Sequence, residues 1–229
     1  MLVFHHSLVN LKKLAVKFLK NKIITIDGTA GSGKERIARY ICRTWKMSHI
    51  DTGIIYRRIA FLIIKKKINI KNFKKVKKLL SSIKVLSLRR HRCLRTEDVS
   101  MIASKIAVYK FIRIYVNNYQ KYYVKKNIKN TGFVIDGRDI GSVVFKNANL
   151  KLYIEVNPKI RAKRRYKQLI DMGEKSIYRK ILKEINLRDK KDKNRKNSPL
   201  IVPDGAHVIT NEGNFRKTTE QIKPLMNNL

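Results

Sequence analysis

The sequence predicts a three-layer α/β fold, a parallel sheet with helices packed on both faces. Three observations carry that expectation. Short apolar runs of strand character alternate with stretches of helical period, the pattern of βα repeats. The first apolar run meets its helix across a glycine-rich loop. At 229 residues and 43% apolar composition, the chain is long enough to bury one proper core with small lobes appended.

The elements follow in order. Residues 1–22 (MLVFHHSLVNLKKLAVKFLKNK) are basic, apolar and free of acids. They read as a helical N-terminal extension with no small-residue cleavage site to mark a targeting peptide. IITID (23–27) is the first strand, GTAGSGK (28–34) the loop, and ERIARYICRTW a helix with Ile37, Ile41 and Trp45 at helical spacing. HID (49–51) ends a second strand, and TGIIYRRIAFLII runs on as a helix. Residues 65–95 are lysine-rich, partly helical and partly irregular. A long helix is expected over about 100–128, with Ile102, Ile106, Val108, Ile112 and Val116 near one face. GFVID (132–136) and LKLYIEV (150–156) are two more strands, 159–172 and 175–188 two helices, AHVIT (206–210) a last strand and 214–227 a closing helix. No internal repeat is present.

Composition removes several function classes. No run approaches 18 uninterrupted apolar residues, so no membrane-spanning helix is expected. Cys42 and Cys93 lie far apart, which suits a reducing cytoplasm better than a disulfide scaffold or zinc ribbon. The histidines at 5, 6, 49, 91 and 207 have no metal spacing and receive no role. Lys plus Arg number 54 and Asp plus Glu 16, so the net charge is 54 − 16 = +38. Such a charge invites a nucleic-acid reading, because basic side chains neutralise phosphates and release counterions. But 36 Lys come with 30 Ile and 18 Asn against only 9 Ala and 10 Gly. Residue types with A/T-rich codons are raised together, and selection for RNA binding gives no reason to raise Ile. Drift in base composition is the simpler cause.

Gly28-x-x-x-x-Gly33-Lys34 holds the first seven positions of a P-loop, set between a strand and a helix as that motif requires. Glycines let backbone amides turn around phosphates, and the following helix offers them its positive end. Lys34 then reaches the outer phosphates. Glu35 and Arg36 stand where a hydroxyl residue that helps hold Mg²⁺ is usual. A carboxylate there is expected to repel a triphosphate and slow turnover, so Arg36→Thr is expected to speed it. Asp136, ending the apolar strand GFVID, suits a carboxylate that orients Mg²⁺ directly or through water.

Several stretches together resemble the bacterial cytidylate kinases, a family of P-loop nucleoside monophosphate kinases. They are ITIDGTAGSGK, DTGIIYR (51–57), EDVS (97–100), Ser104 to Arg113, VIDGRDIGSVVFKNANLKLYIEV (134–156), RAKRR (161–165) and RDKKDKNRKNSPL (188–200). They occur in the family's order over about residues 23–210, and DGRDIGSVVF followed by RDxxDxxRxxSPL is the discriminating pair. The resemblance implies a three-layer P-loop NTPase fold over 23–229, with an acceptor-binding lobe at about 57–130 and a lid at about 157–175. It implies transfer of the γ-phosphoryl group of ATP, with Mg²⁺, to CMP or dCMP. ATP would lie on Gly28, Thr29, Ala30, Gly31, Ser32, Gly33, Lys34, Glu35 and Arg36, under a lid bearing Arg161, Arg164 and Arg165. Thr52, Arg57, Arg138 and Arg195 would surround the acceptor phosphate; Ser104, Arg113 and Asp139 would read cytosine; Arg188 and Asp192 would lie near the ribose. Lys34, Arg138 and Arg195 would be the catalytic charges. A cytoplasmic monomer with small-molecule partners, no specific nucleic acid and no membrane is expected.

The residue chemistry points the same way. Arg meets phosphate oxygens two at a time, which Lys cannot do. Arg is only 18 of the 54 basic residues, yet every cation of the acceptor set is Arg. A carboxylate accepts from the exocyclic amine of cytosine and would face a carbonyl in uracil. The chain departs from the family at Glu35-Arg36, at the short MIA (101–103) between EDVS and Ser104, and at Lys146 in place of a Pro. A degenerate P-loop relic that binds RNA, or a kinase for another nucleoside monophosphate, is the alternative.

Overall fold

The computed structural model describes residues 21–83, 86–89, 91–128 and 132–229. Most of the expected N-terminal extension, residues 1–20, lies outside them. In chain order the helices are α1 (Lys34–Trp45), α2 (Thr52–Lys65), α3 (Phe73–Ser82), α4 (Glu97–Ile106), α5 (Lys110–Asn127), α6 (Pro158–Asp171), α7 (Tyr178–Asn194) and α8 (Phe215–Asn227). The strands are β1 (Ile23–Gly28), β2 (Ser48–Asp51), β3 (Phe133–Asp136), β4 (Leu150–Glu155) and β5 (His207–Thr210). Two compact units divide the chain: residues through His49 with Asn127–Leu229, and Ile50–Lys126. No helix of the described residues is long and apolar enough to cross a membrane.

The first unit is built on the sheet, in the order β2-β3-β1-β4-β5. β1 is central and pairs in parallel with β3 (Ile26↔Asp136) and β4 (Gly28↔Ile154), and β4 pairs in parallel with β5. The expected P-loop α/β fold with a parallel sheet is what the chain adopts. Burial on both faces explains the near-continuous apolar strands: Ile24 and Ile26 are fully buried, and so are Thr25 and Asp27, which alternate with them. On one face Ile24, Ile26, Val134, Leu152 and Ile154 pack against Ile37 and Ile41 of α1 and Ile222 of α8. Tyr40 meets both Trp45 and Phe215 edge-on, joining α1 to α8. After β4, α6 starts on an Asn157 cap with Pro158 at its first position and packs on α7 through Ala162, Leu169 and Ile181.

The second unit differs from the expectation at one point. The single helix expected over about 100–128 is two, α4 and α5, broken at Ala107–Tyr109. The apolar period continues through the break, which hides it from a periodicity reading. Val108, expected in the stripe, is 53% exposed at the corner. The Arg113 guanidinium closes the corner by donating to the Ala107 carbonyl at 3.0 Å. α4 opens on a Thr96 cap that accepts from the Val99 amide, with Glu97 and Asp98 in its first turn.

Candidate active site

The glycine-rich loop carries the site's first feature. Gly28, Gly31 and Gly33 all have positive φ, at 148°, 73° and 87°. Gly28 needs more than conformational freedom: a Cβ there would sit 2.5 Å from the Ile154 carbonyl oxygen on the neighbouring strand. The left-handed Gly33 opens α1. Lys34 folds back into the loop, its ammonium donating to Gly28 O at 2.8 Å, Thr29 O at 2.6 Å and Ser32 Oγ at 3.3 Å. Burial pushes the Lys34 pKa well down, Arg138 pushes the same way, and Asp136 and Asp27 oppose them. The lysine is thus a poorly solvated cation held by neutral oxygens, and an anion entering the loop would be a better partner.

Glu35 and Arg36 are both engaged beside the loop. Glu35 pairs with Arg39 one turn along α1 at 2.5 Å. The Arg36 guanidinium lies 4.0 Å over the Phe215 ring. The repulsion expected from Glu35 is therefore offset within the helix.

The arginines of RAKRR separate by position. Arg161 is 2% exposed and donates to Asp189 through both terminal nitrogens, at 3.1 and 2.5 Å. It also donates to Val156 O and to Ala30 O of the loop, both at 3.1 Å. Arg164 is exposed and donates to Asn211 O at 2.8 Å, and Arg165 to Gln168 Oε1 at 3.0 Å.

A second cluster holds four of the acceptor-side residues together. Arg138 Nε donates to Asp192 Oδ2 at 3.1 Å, and Arg195 lies 3.6 Å from Asp192 Oδ1 and 3.8 Å from Asp139 Oδ1. Arg195 Nε also donates to Ser198 O. One carboxylate, Asp192, thus joins the two guanidiniums, and Arg195 links them to Asp139. Arg138 and Arg188 both bear electrostatically on Lys34. Thr52, Arg57, Ser104 and Arg113 belong to the second unit. There Thr52 Oγ1 donates to Gln120 Oε1 at 3.0 Å, the Arg57 guanidinium approaches Gly53 at the start of α2, and Ser104 is exposed on α4.

Asp136 ends β3 with 10% of its side chain exposed, and His49 Nε2 on β2 lies 2.7 Å from Asp136 Oδ1. Among the described residues no group of three or more His, Cys, Asp or Glu converges for a metal. A single carboxylate beside a phosphate loop is what Mg²⁺ needs when phosphates and water supply its other ligands. The residues fit that ion and not an all-protein metal cage.

Three residues of this unit were given no role on sequence grounds. Asp27 accepts from the Ile140 and Gly141 amides at 2.8 and 2.7 Å. Asn211 donates to Ser32 O at 2.8 Å and accepts from Thr218 Oγ1 at 3.0 Å, bracing the loop from beyond β5. His49 touches Asp136. An acid ending an apolar strand was a legible signal at Asp27 as it was at Asp136. Asn211 and His49 carry none, since their partners are 179 and 87 residues away.

Comparison with known proteins gives concordant findings. The model of the family described as cytidylate kinase matches residues 24–228. A cytidylate kinase of Rickettsia akari (strain Hartford) is 38% identical over 222 residues, 96% of this chain and 99% of its own. One from Rickettsia bellii (strain OSU 85-389) is 38% identical over 202 residues, 88% of this chain and 90% of its own. Among solved structures, an uncharacterized protein from Eubacterium ventriosum aligns with 91% of this chain and 99% of its own at a TM-score of 0.51 and 16% identity, a likeness of fold alone.

Proposed function

Because the chain belongs to the cytidylate kinase family, we propose that it transfers the γ-phosphoryl group of ATP to CMP or dCMP, giving ADP and CDP or dCDP. The observation that carries the reading is the Arg138–Asp192–Arg195 cluster in the same unit as the lysine-filled phosphate loop. Two guanidiniums sharing one carboxylate form a preset fork for a planar or tetrahedral anion.

A phosphate oxygen of the acceptor attacks the γ-phosphorus, the bond from the γ-phosphorus to the β,γ-bridging oxygen breaks, and ADP leaves with that electron pair. No general base is required. A phosphate monoester with a second pKa near 6 is already largely dianionic at neutral pH. Catalysis is then positioning and charge neutralisation. Lys34 exchanges the carbonyls of Gly28 and Thr29 for the donor's outer phosphate oxygens. Arg138 and Arg195 hold the acceptor phosphate and the moving group. Asp139 accepts from the exocyclic amine of cytosine, and Arg188 with Asp192 takes the ribose side. In the second unit Thr52, Arg57, Ser104 and Arg113 keep the acceptor-side roles that the resemblance implies. Arg164 and Arg165 are the exposed cations of α6 suited to cover ATP, while Arg161 acts on the loop through Ala30 O. Mg²⁺, oriented by Asp136, supplies positive charge at the phosphates when bound. We place this chemistry in the cytoplasm, where thiols such as Cys42 and Cys93 stay free, in a monomer acting on small molecules.

Purified protein mixed with Mg²⁺·ATP and CMP, dCMP, UMP, AMP or GMP, followed by ADP release, tests the reading. Release with CMP and dCMP, and little with the others, is the expected result. Equal release with every acceptor, or none with CMP, would remove it.

A further inference from the structure

We propose that Asp27 is a positioning residue that sets acceptor specificity: it caps the turn beginning at Ile140 from across the sheet and so keeps Asp139 from capping that turn itself. The inference rests on the reading above, in which Asp139 recognises cytosine.

The turn Ile140–Val144 is wide, closed by Phe145 N donating to Ile140 O at 2.7 Å. The opening amides of such a turn have no carbonyl behind them and need an outside acceptor. Asp139 stands in the capping position, and Asp is among the residues that most often fill it with their own side chain. Here its side chain makes no capping hydrogen bond, and its Oδ1 lies 3.8 Å from the Arg195 guanidinium. Both amides go instead to Asp27, which lies 113 and 114 residues earlier: Ile140 N to Oδ1 and Gly141 N to Oδ2. The backbone comes close to make this possible. A Cβ on Gly141 would sit 2.8 Å from Thr25 Oγ1, 3.1 Å from Pro203 Cγ and 3.3 Å from Asp27 Oδ2.

Two aspartates therefore compete for the Gly141 amide, and the structure assigns it, together with the Ile140 amide, to Asp27. Without the Asp27 carboxylate, buried amides must find another acceptor, and Asp139 occupies the capping position, from which a side chain ordinarily serves the second or third amide, here that of Gly141 or Ser142. Once turned inward, its carboxylate is lost to Arg195 and to the base. The turn survives and the selectivity does not.

The experiment compares kcat/KM for CMP and UMP at saturating ATP in the wild type, Asp27→Ala, Asp139→Ala and the double variant. Asp27→Ala should lower the CMP-to-UMP ratio at least tenfold, and the double variant should fall no further than Asp139→Ala. A packing defect alone would lower both acceptors together and leave the ratio intact. A folded Asp27→Ala protein with the wild-type ratio overturns the proposal. If Asp27→Ala does not fold, Gly141→Ala displaces the same segment with Asp27 retained: a lowered ratio supports the proposal and an unchanged one overturns it. A wild type that does not prefer CMP to UMP takes the functional reading down together with the inference. A discriminating wild type with an indifferent Asp27→Ala removes the inference alone.

Discussion

At the scale of single residues, Asp27 and Lys34 are two buried titratable groups whose charged forms the fold disfavours. Burial lifts the Asp27 pKa from 3.8 to about 6, the Ile140 and Gly141 amides and Lys34 pull it down, and Asp139 pushes it up. The folded chain thus binds this proton more tightly than the unfolded chain. Its contribution to stability is fully present below about pH 4 and is lost as pH rises through about 6. Two pKa steps correspond to ~3 kcal/mol. Urea midpoints from pH 4 to 7 should show that decline in the wild type relative to Asp27→Asn; curves that stay parallel would contradict it. Lys34 is expected to act mainly in turnover. Lys34→Ala should lower kcat by about 10²–10³-fold, the range for removing one well-placed charge contact to a transition state. A loss under fivefold would mean that the ammonium stays with its carbonyls throughout. Arg36→Thr is a trade. It removes the contact with Phe215, worth about 0.5–1 kcal/mol, and restores a hydroxyl near the loop. Lower thermal stability with faster turnover is the expected pair, and a slower enzyme would count against the hydroxyl's part.

Among the elements, α6, α7 and the phosphate loop are tied by one side chain. Arg161 joins Asp189 of α7 to the Ala30 carbonyl while lying on α6 itself. Removing one partner of a buried pair strands the other, at a typical cost of 3–5 kcal/mol. Arg161→Ala should lower the urea midpoint accordingly, and Arg161→Lys should recover little, because an ammonium cannot meet two carboxylate oxygens and a carbonyl in one plane. Recovery by Lys would show that charge alone matters there. This tie was not legible in the sequence, where the resemblance implies one shared role over ATP for Arg161, Arg164 and Arg165 of RAKRR. The legible parts were those with local cause. β1, the glycine loop and α1 announce themselves within 23 residues by apolar run, glycine spacing and period. The corner at Ala107–Tyr109 was hidden because Ile106 and Ile112 keep one apolar stripe across it. α7 runs to Asn194, beyond the expected end at 188, through RDKKDKN, a stretch without apolar positions to betray a helix. The family was legible for a different reason: its motif pairs guanidiniums with carboxylates at fixed spacing, and the Asp192 bridge gives that spacing a structural purpose.

For the molecule as a whole, the scarcity of acids makes their positions informative. Only 16 acidic residues stand against 54 basic ones, yet Asp27, Asp136, Asp139, Asp189 and Asp192 all sit in or under the candidate site with named partners. Each of these carboxylates is held by a specific contact. The surplus charge has a different logic. Residues 64–95 carry 13 basic and no acidic side chains, and 159–196 carry 16 basic against 5 acidic, so the charge is spread over both units. A spread charge gives affinity for any polyanion without reading it, and that affinity falls steeply with salt as counterion release loses its advantage. Binding to RNA homopolymers should therefore be nearly independent of base, and should drop by about 10³-fold or more between 50 and 200 mM salt. CMP phosphorylation should need no RNA at any salt. Titration of four homopolymers against salt, with ADP release measured alongside, separates the two possibilities. One polymer held selectively at high salt, or turnover that rises with RNA, would show that the basic surface has been selected for a partner and is not a by-product of composition.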